Sequence, residues 1–353
     1  MRNSFIIQFL FLVPVLIGLS TKVQAQIITQ LHQAGKYDQV LLFGNKVDSL
    51  RGDEALLVAD AFFRKKNPQK AEEILTKIIK RGYTTEEAYW QLTQVLLAQE
   101  KWVLALENIE KALKFNTSNF VYLKIRAGIL LQLGKNREAE AEYRKLLRLR
   151  PNDESLYWLT YQAIAEQEDY RRGKSFLISN IAKFKTAEYQ NRVYDALVRT
   201  YHYTLGKPDS ALYYTKKWQN STGKNNQNVS LELLLLNALE KFDESIQFAN
   251  THKKYFKETA DGILWDEIRG QKEYAIQVYY HPSRKYYTMY LMDAEQQYIQ
   301  GKMFWKKLSE TQSEVKIETA RRTDTKTFSI PITDYAALKK QSTRIARALN
   351  NLE

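Results

Sequence analysis

The sequence predicts a mostly α fold: an α-solenoid of helix–turn–helix repeats, followed by a small α+β domain of an antiparallel sheet and one helix. Three observations carry this reading. Four small residues, Ala71, Ala105, Ala139 and Gly173, each lie 34 positions after the last. The columns around them run in phase: Ala55, Tyr89, Leu123 and Tyr157 lie 16 positions upstream, Phe62, Leu96, Leu130 and Ile164 nine upstream, and Leu75, Ile109, Tyr143 and Leu177 four downstream. From Lys272 the apolar period changes from that of a helix to that of a strand, with Tyr274, Ile276, Val278 and Tyr280 alternating.

The recurring small residue has a physical reason. The second helix of each unit must approach the first closely, and a bulky side chain would hold the two apart, while large residues in the flanking columns fill ridges and grooves. No single unit buries its own apolar face, so the units stack and bury each other's. An ordinary bundle with small residues aligned by chance is the competing reading. Four consecutive hits with several columns in phase disfavour it.

These residues resemble tetratricopeptide repeats. Gln132-Leu133-Gly134-Lys135-Asn136-Arg137-Glu138-Ala139, continuing to Pro151, matches the family's turn and second helix, and Tyr89, Trp102, Ala105 and Ala112 match the unit before. Arg126 and Tyr161 stand where the family places Leu and a small residue, and Asn180 where it places Ala. The resemblance implies a concave groove lined by the first helix of each unit. Its fifth column holds Leu56, Trp90, Lys124 and Trp158; its ninth, Asp60, Gln94, Gly128 and Gln162; its twelfth, Phe63, Leu97, Leu131 and Ala165. Two tryptophans flanking a lysine suit a peptide with an apolar anchor and a negative group. Packing of Trp90 and Trp158 between neighbouring repeats is the alternative, and both stand at this point. Only Lys124 matches the basic clamp that some family members use for a terminal carboxylate.

Taken in order, the chain opens with Arg2, an apolar run from Phe5 to Leu19 and a polar stretch ending Val23-Gln24-Ala25. This is the layout of a signal peptide, 1–25, cleaved after Ala25, which predicts export to the periplasm or beyond. Residues 26–48 read as a truncated, capping hairpin, and the solenoid as 26–257. Four regular units run to about Lys185 and a fifth covers Tyr189–Trp218. Ala211 falls 38 positions after Gly173, which places a longer linking loop there. Asn220 to Asn228 reads as an exposed polar loop, and Val229–Phe256 as a degenerate sixth unit. The remaining domain, 258–353, contains a hairpin of Tyr274–Tyr280 with Tyr286–Met292. Further strands are expected at Gln297–Trp305, Glu314–Thr319 and Lys326–Ile332, then a helix over Asp334–Asn350 capped by Thr333.

Charge and chemistry exclude more than they assign. The formal net charge of +13 divides as +2 over 1–25, +9 over 26–257 and +2 over 258–353. An excess spread over helices is a solvated surface, or a surface for an acidic partner, an anionic membrane or a cell wall. With no cysteine there is no disulfide, thiolate site, cysteine nucleophile or acylated cysteine. His32, His202, His252 and His281 lack metal-ligand spacing and read as surface or turn residues, and no metal or other cofactor is expected. Neither a nucleophile elbow nor a phosphate-binding glycine loop is present. Asp53/Glu54, Glu107/Glu110 and Glu138/Glu140/Glu142 read as charges on wet helix faces. Asp266-Glu267 is the best acidic pair, without other support for catalysis. The export signal argues against a nucleic-acid partner. The sequence therefore reads as a non-catalytic exported scaffold or adaptor that binds a protein or peptide in its groove. The alternatives are a cell-envelope enzyme or glycan-binding accessory acting through 258–353, and an outer-membrane assembly subunit.

Overall fold

The computed structural model describes residues 21–256, 262–269, 275–281, 286–292, 299–319, 323–330 and 334–350. The fold class is the one expected: paired helices repeat along the chain, and a six-stranded antiparallel sheet and a last helix follow. The chain divides into two compact units, Met1–Gly173 and Lys174–Glu353. Most of the expected signal peptide lies outside the described residues.

The first unit opens with α1 (Thr21–Gln33), the short α2 (Tyr37–Val40) and a 3-10 stretch, Leu41–Ser49. Three full hairpins follow: α3 (Gly52–Arg64) with α4 (Pro68–Lys80), α5 (Glu86–Leu97) with α6 (Trp102–Phe115), and α7 (Phe120–Gln132) with α8 (Asn136–Leu149). Next come α9 (Glu154–Ala165) and α10 (Tyr170–Asn180). Side-chain oxygens of Asn67, Thr85, Asn119 and Asp153 accept first-turn N–H groups and so set helix starts. Each hairpin turns at one left-handed residue: Lys66, Glu100, Gly134 and Glu168, with φ of 60, 56, 70 and 57°. There the N–H of Glu100 donates to Leu97 O and that of Lys101 to Leu96 O, closing a Schellman motif.

Ala71, Ala105 and Ala139 are fully buried. Gly173 is the variation on that column. Tyr161 stands where the preceding units carry Ala59, Thr93 and Ala127, and a β-carbon on Gly173 would lie 3.3 Å from its ring. Bulk has moved from one helix to its partner, which accounts for the departure at Tyr161.

A second register joins successive hairpins. A residue near the start of a second helix bonds to, or shares a core cluster with, one 27 positions on, just past the next first helix. Asp38 pairs with Lys65 at 2.8 Å. Gln99 donates to Glu72 at 2.7 Å. Leu106 and Leu133 both pack on the core. Gln167 donates to Glu140 at 2.9 Å. In the second unit the same offset joins Lys174 to the Tyr201 ring, 5.2 Å from its centroid. It also puts Leu212 and Leu239 in one cluster.

The second unit contains α11 (Ala187–Arg199), which runs into a π-helical turn, Thr200–Thr204, then α12 (Pro208–Thr222), α13 (Asn226–Ala238) and α14 (Phe242–Thr251). Two expectations are corrected here. The extra residues before Ala211 form the π turn that prolongs α11, not a longer loop. The Asn220–Asn228 segment is mostly exposed, as expected, but only 223–225 lie outside helices. Asn225 and Asn228 form a reciprocal capping box, and Asn228, fully buried, donates from Nδ2 to Gly223 O at 2.9 Å. Asn and Ser satisfy helix ends as readily as they open loops.

Strands β1 (Ile263–Arg269), β2 (Ala275–His281), β3 (Tyr286–Met292), β4 (Ile299–Lys307), β5 (Ser313–Thr319) and β6 (Thr323–Phe328) form a meander in chain order. β1 was not expected, because a register shift between Leu264 and Asp266 breaks its alternation. One face carries Val278 opposite Met289, Met289 opposite Met303 and Met303 opposite Ile317. Tyr335, Leu338 and Ala346 of α15 (Tyr335–Asn350) pack into the same core. Asp334 caps this helix, accepting from Ala337 N–H at 3.1 Å; Thr333 lies outside the described residues. Asp266 is a core residue, accepting from Tyr335 Oη at 2.8 Å and Lys339 Nζ at 2.9 Å. Asn237 of α13 donates to the Trp265 carbonyl, which ties the last hairpin to β1. His281, expected in a turn, is buried at the end of β2 near Thr288.

Left-handed Glu100 carries a steric cost that glycine avoids. Glu100→Gly is therefore expected to raise stability by about 0.5 kcal/mol, the steric relief exceeding glycine's entropic cost. Thermal unfolding checks this; a lowered Tm contradicts it.

Candidate functional site

The first helix of each hairpin brings the expected groove residues onto one series of helices, in three states of engagement. Leu56 is buried in the core. Asp60 is committed: its carboxylate accepts from His32 at 2.6 Å and from Arg64 at 2.5 Å, so His32 is a partner of α3 rather than a surface residue. Phe63, Leu97 and Leu131 are half-buried against the core. Gln94 is exposed and Gln162 half-buried. Trp90 is half-buried with its ring 4.8 Å from that of Tyr122 in the next hairpin. Trp158 is half-buried with its ring 5.1 Å from Tyr161 on its own helix. Packing between repeats thus describes one face of Trp90, and packing within a helix one face of Trp158.

Lys124 is half-buried and donates to Ser155 Oγ at 3.1 Å. Burial pushes the neighbouring Asp153 carboxyl up, but bonds from Ser155 and the Lys124 charge outweigh it and hold it below the usual carboxylate range. Burial, followed by its bond to Glu86, pushes the Tyr122 phenol up to about 12. The aromatic at Trp90 therefore rests on a neutral phenol at any physiological pH.

A polar cluster not expected as a cluster lies between α8 and the turn into α10. Glu140, only 7 % exposed, accepts from Arg144 Nε at 2.8 Å and Arg172 Nη1 at 2.9 Å, besides Gln167. Gln167 returns an acceptor to Arg172 Nη2 at 2.9 Å. The residues line a cleft of about 530 Å³, with Arg137 and Asp169 at its edge. Glu142 lies nearby, half-buried, accepting from Arg126 at 2.7 Å, which accounts for the departure at Arg126. Glu54, at 6 % exposure, is likewise drawn inward. These three carboxylates were read as wet charges, and the structure corrects that. Arg144 is an i,i+4 partner on the same helix, but Gln167 and Arg172 come from the following repeat, beyond the reach of a single-helix pattern. One signal did point to them: Glu72 with Gln99 recurs as Glu140 with Gln167, two repeats later. Both arginines are spent on Glu140, so the cleft acts as a clasp between repeats.

Among the described residues no group of three or more acidic or histidine side chains is placed to hold a metal, and no helix is long and apolar enough to cross a membrane.

No family model and no curated protein matches this chain. Solved structures do. A crystal structure of MamA protein is 17 % identical, covering 46 % of this chain and 91 % of that one, with a TM-score of 0.41. MamA from Desulfovibrio magneticus RS-1, residue 41 to its end, is 18 % identical over 48 % of this chain and 95 % of that one, with a TM-score of 0.40. Naa15/Naa10 bound to HypK-THB is 11 % identical over 67 % of this chain and 37 % of that one, with a TM-score of 0.45. Likeness of this degree bears on neither activity nor partner.

Burial raises the Glu140 carboxyl, but the Gln167 and Arg144 bonds and the Arg172 and Arg144 charges win and hold it below its ordinary value. Its contribution is then complete above the unfolded carboxylate range, about pH 4.3, and is lost as pH falls through the lower folded value. Glu140→Ala removes the acceptor shared by Arg144, Arg172 and Gln167; because the two arginines are 43 % and 41 % exposed and Arg172 keeps Asp169, the expected cost is about 1–2 kcal/mol at pH 7. The deficit should shrink as pH falls below the unfolded carboxylate range and the wild type in turn loses the same pairs. A deficit independent of pH in denaturant titrations contradicts the clasp.

Proposed function

We propose that the protein is a non-catalytic scaffold, acting outside the cytoplasm, that holds a protein or peptide segment on the first-helix face of its amino-terminal repeats. One observation carries this. Trp90, Lys124 and Trp158 occupy the same column of three successive repeats, and all three stay half-exposed although each already touches a protein neighbour. Such a column has aromatic anchors held by packing, each still partly exposed, with a cation between them. Preordered aromatics of this kind dominate recognition energies, because little side-chain entropy remains to be lost on binding. Exposed Gln94 and half-exposed Gln162, one turn further along two of these helices, supply amide groups for a peptide backbone. Support for action outside the cytoplasm is the charged, apolar, then polar layout of residues 1–25.

Affinity capture of the full-length chain from its native host, followed by titration with each captured partner, tests the reading. Trp90→Ala with Trp158→Ala should weaken the principal partner at least about tenfold. An unchanged partner set and unchanged affinities contradict it.

A further inference from the structure

The fifth repeat differs from the others in length, and the difference lies in one place. The π turn Thr200–Thr204 inserts Tyr201, His202 and Tyr203 at the end of α11. Its closing bonds run from Leu205 N–H to Thr200 O at 3.0 Å and from Lys207 N–H to Tyr201 O at 2.8 Å. Such turns break the regular helical ladder and occur frequently at functional sites. The turn aims Tyr201 between two neighbours. One side of the ring meets Tyr214, stacked at 5.3 Å with 14° between planes, and Lys174 Nζ lies 5.2 Å from its centroid. Tyr213 packs edge-on against Tyr214 at 5.2 Å, and Lys217 lies over the Tyr213 ring at 4.7 Å. Tyr213 is 54 % exposed and Tyr203 is 37 % exposed.

The rings in this row are engaged with one another and with two lysines, so stacking on a sugar or base is not their main offer. The Tyr201 and Tyr214 hydroxyls bond each other and Tyr213 bonds Lys217, which leaves one proton of the hydroxyl pair and the remaining ammonium protons to offer. Burial, then Tyr201, push the Tyr214 phenol up to about 12, so it stays a donor at neutral pH. Among the described residues no ion pair joins Lys174, Lys207, Lys216 or Lys217 to a carboxylate, although Lys217 shares a hydrogen bond with Tyr213. Hydrogen-bond donors and unpaired cations recognise anionic oxygens. The two ring-bound lysines stand at opposite ends of a row of three rings, so one phosphate or sulfate group cannot reach both. A chain with carboxylates at intervals can, and an extended strand presents side chains on one face every 6.6 Å or so.

We propose that the tyrosine–lysine row of the fifth repeat is a docking surface for an extended acidic peptide segment of a partner protein, with carboxylates on alternate residues. This does not depend on the Trp90–Trp158 face, which belongs to the other compact unit.

Fluorescence anisotropy tests it, with the full-length chain, a labelled twelve-residue probe alternating Glu and Ser, and a Gln–Ser control, at about 150 mM salt, where long-range attraction is screened. The Glu probe should bind and the Gln probe should not. Lys174→Gln with Lys217→Gln should weaken binding about tenfold, and Tyr201→Phe, which keeps the ring and loses the hydroxyl, about threefold. Lys80→Gln with Lys114→Gln, the same charge change on exposed helices of the first unit, should leave it unchanged. Three results overturn the proposal: equal binding by the double variant, an equal loss in the Lys80/Lys114 control, or a sulfated oligosaccharide binding the same lysines while the Glu probe does not.

Discussion

In each regular repeat the second helix lies close against the first at a residue with nothing beyond a β-carbon. Ala71, Ala105 and Ala139 make that contact fully buried, and Gly173 makes it where Tyr161 has taken the space. Apolar contact alone leaves such helices free to slide, because dispersion and burial have little direction. The offset of 27 residues supplies direction. At successive rungs it sets an ion pair, a Glu–Gln bond, two leucines and another Glu–Gln bond. A hairpin docked one repeat out of place would put a carboxylate against leucine. The mixed chemistry of the rungs thus penalises wrong registers more than it strengthens the right one.

The same arrangement decides what is left for recognition. Charges that look available on paper are consumed within the fold: Glu140 by two arginines, Asp60 by His32 and Arg64, Asp266 by Tyr335 and Lys339. The two proposed docking surfaces, the Trp90 column in the first unit and the Tyr201 row in the second, instead set aromatic rings beside cations. Both rest on residues whose backbone is fixed by helix packing, and a surface fixed in advance loses little entropy when a partner arrives.

Much of this was legible in the sequence, for a reason that also sets its limit. A contact repeated every 34 residues prints itself as columns, so the hairpins, their turns and the small-residue contact were readable. The strands from Ala275 to Thr319 were readable because their alternation is clean. β1 was hidden by a single bulge at Trp265, after which Asp266 is buried out of alternation. The Asn-rich segment misled because a capping side chain and a loop side chain have the same composition. The π turn had only a change of spacing to announce it, and spacing says that residues were added without saying where. Of the residues expected in the groove, Trp90, Lys124 and Trp158 are half-buried. Leu56 and Asp60 are spent on structure, which their residue types alone could not reveal.

The claim that matched rungs hold successive hairpins in register is tested most directly by rewriting one rung as another. Leu106→Glu and Leu133→Gln together copy the Glu72–Gln99 and Glu140–Gln167 chemistry into the apolar rung. A double-mutant cycle by denaturant unfolding measures their coupling. Each single change should destabilise the protein, and the pair should recover at least about 1 kcal/mol of the summed loss. Strictly additive losses would show that the rung positions do not recognise one another, and would contradict the account.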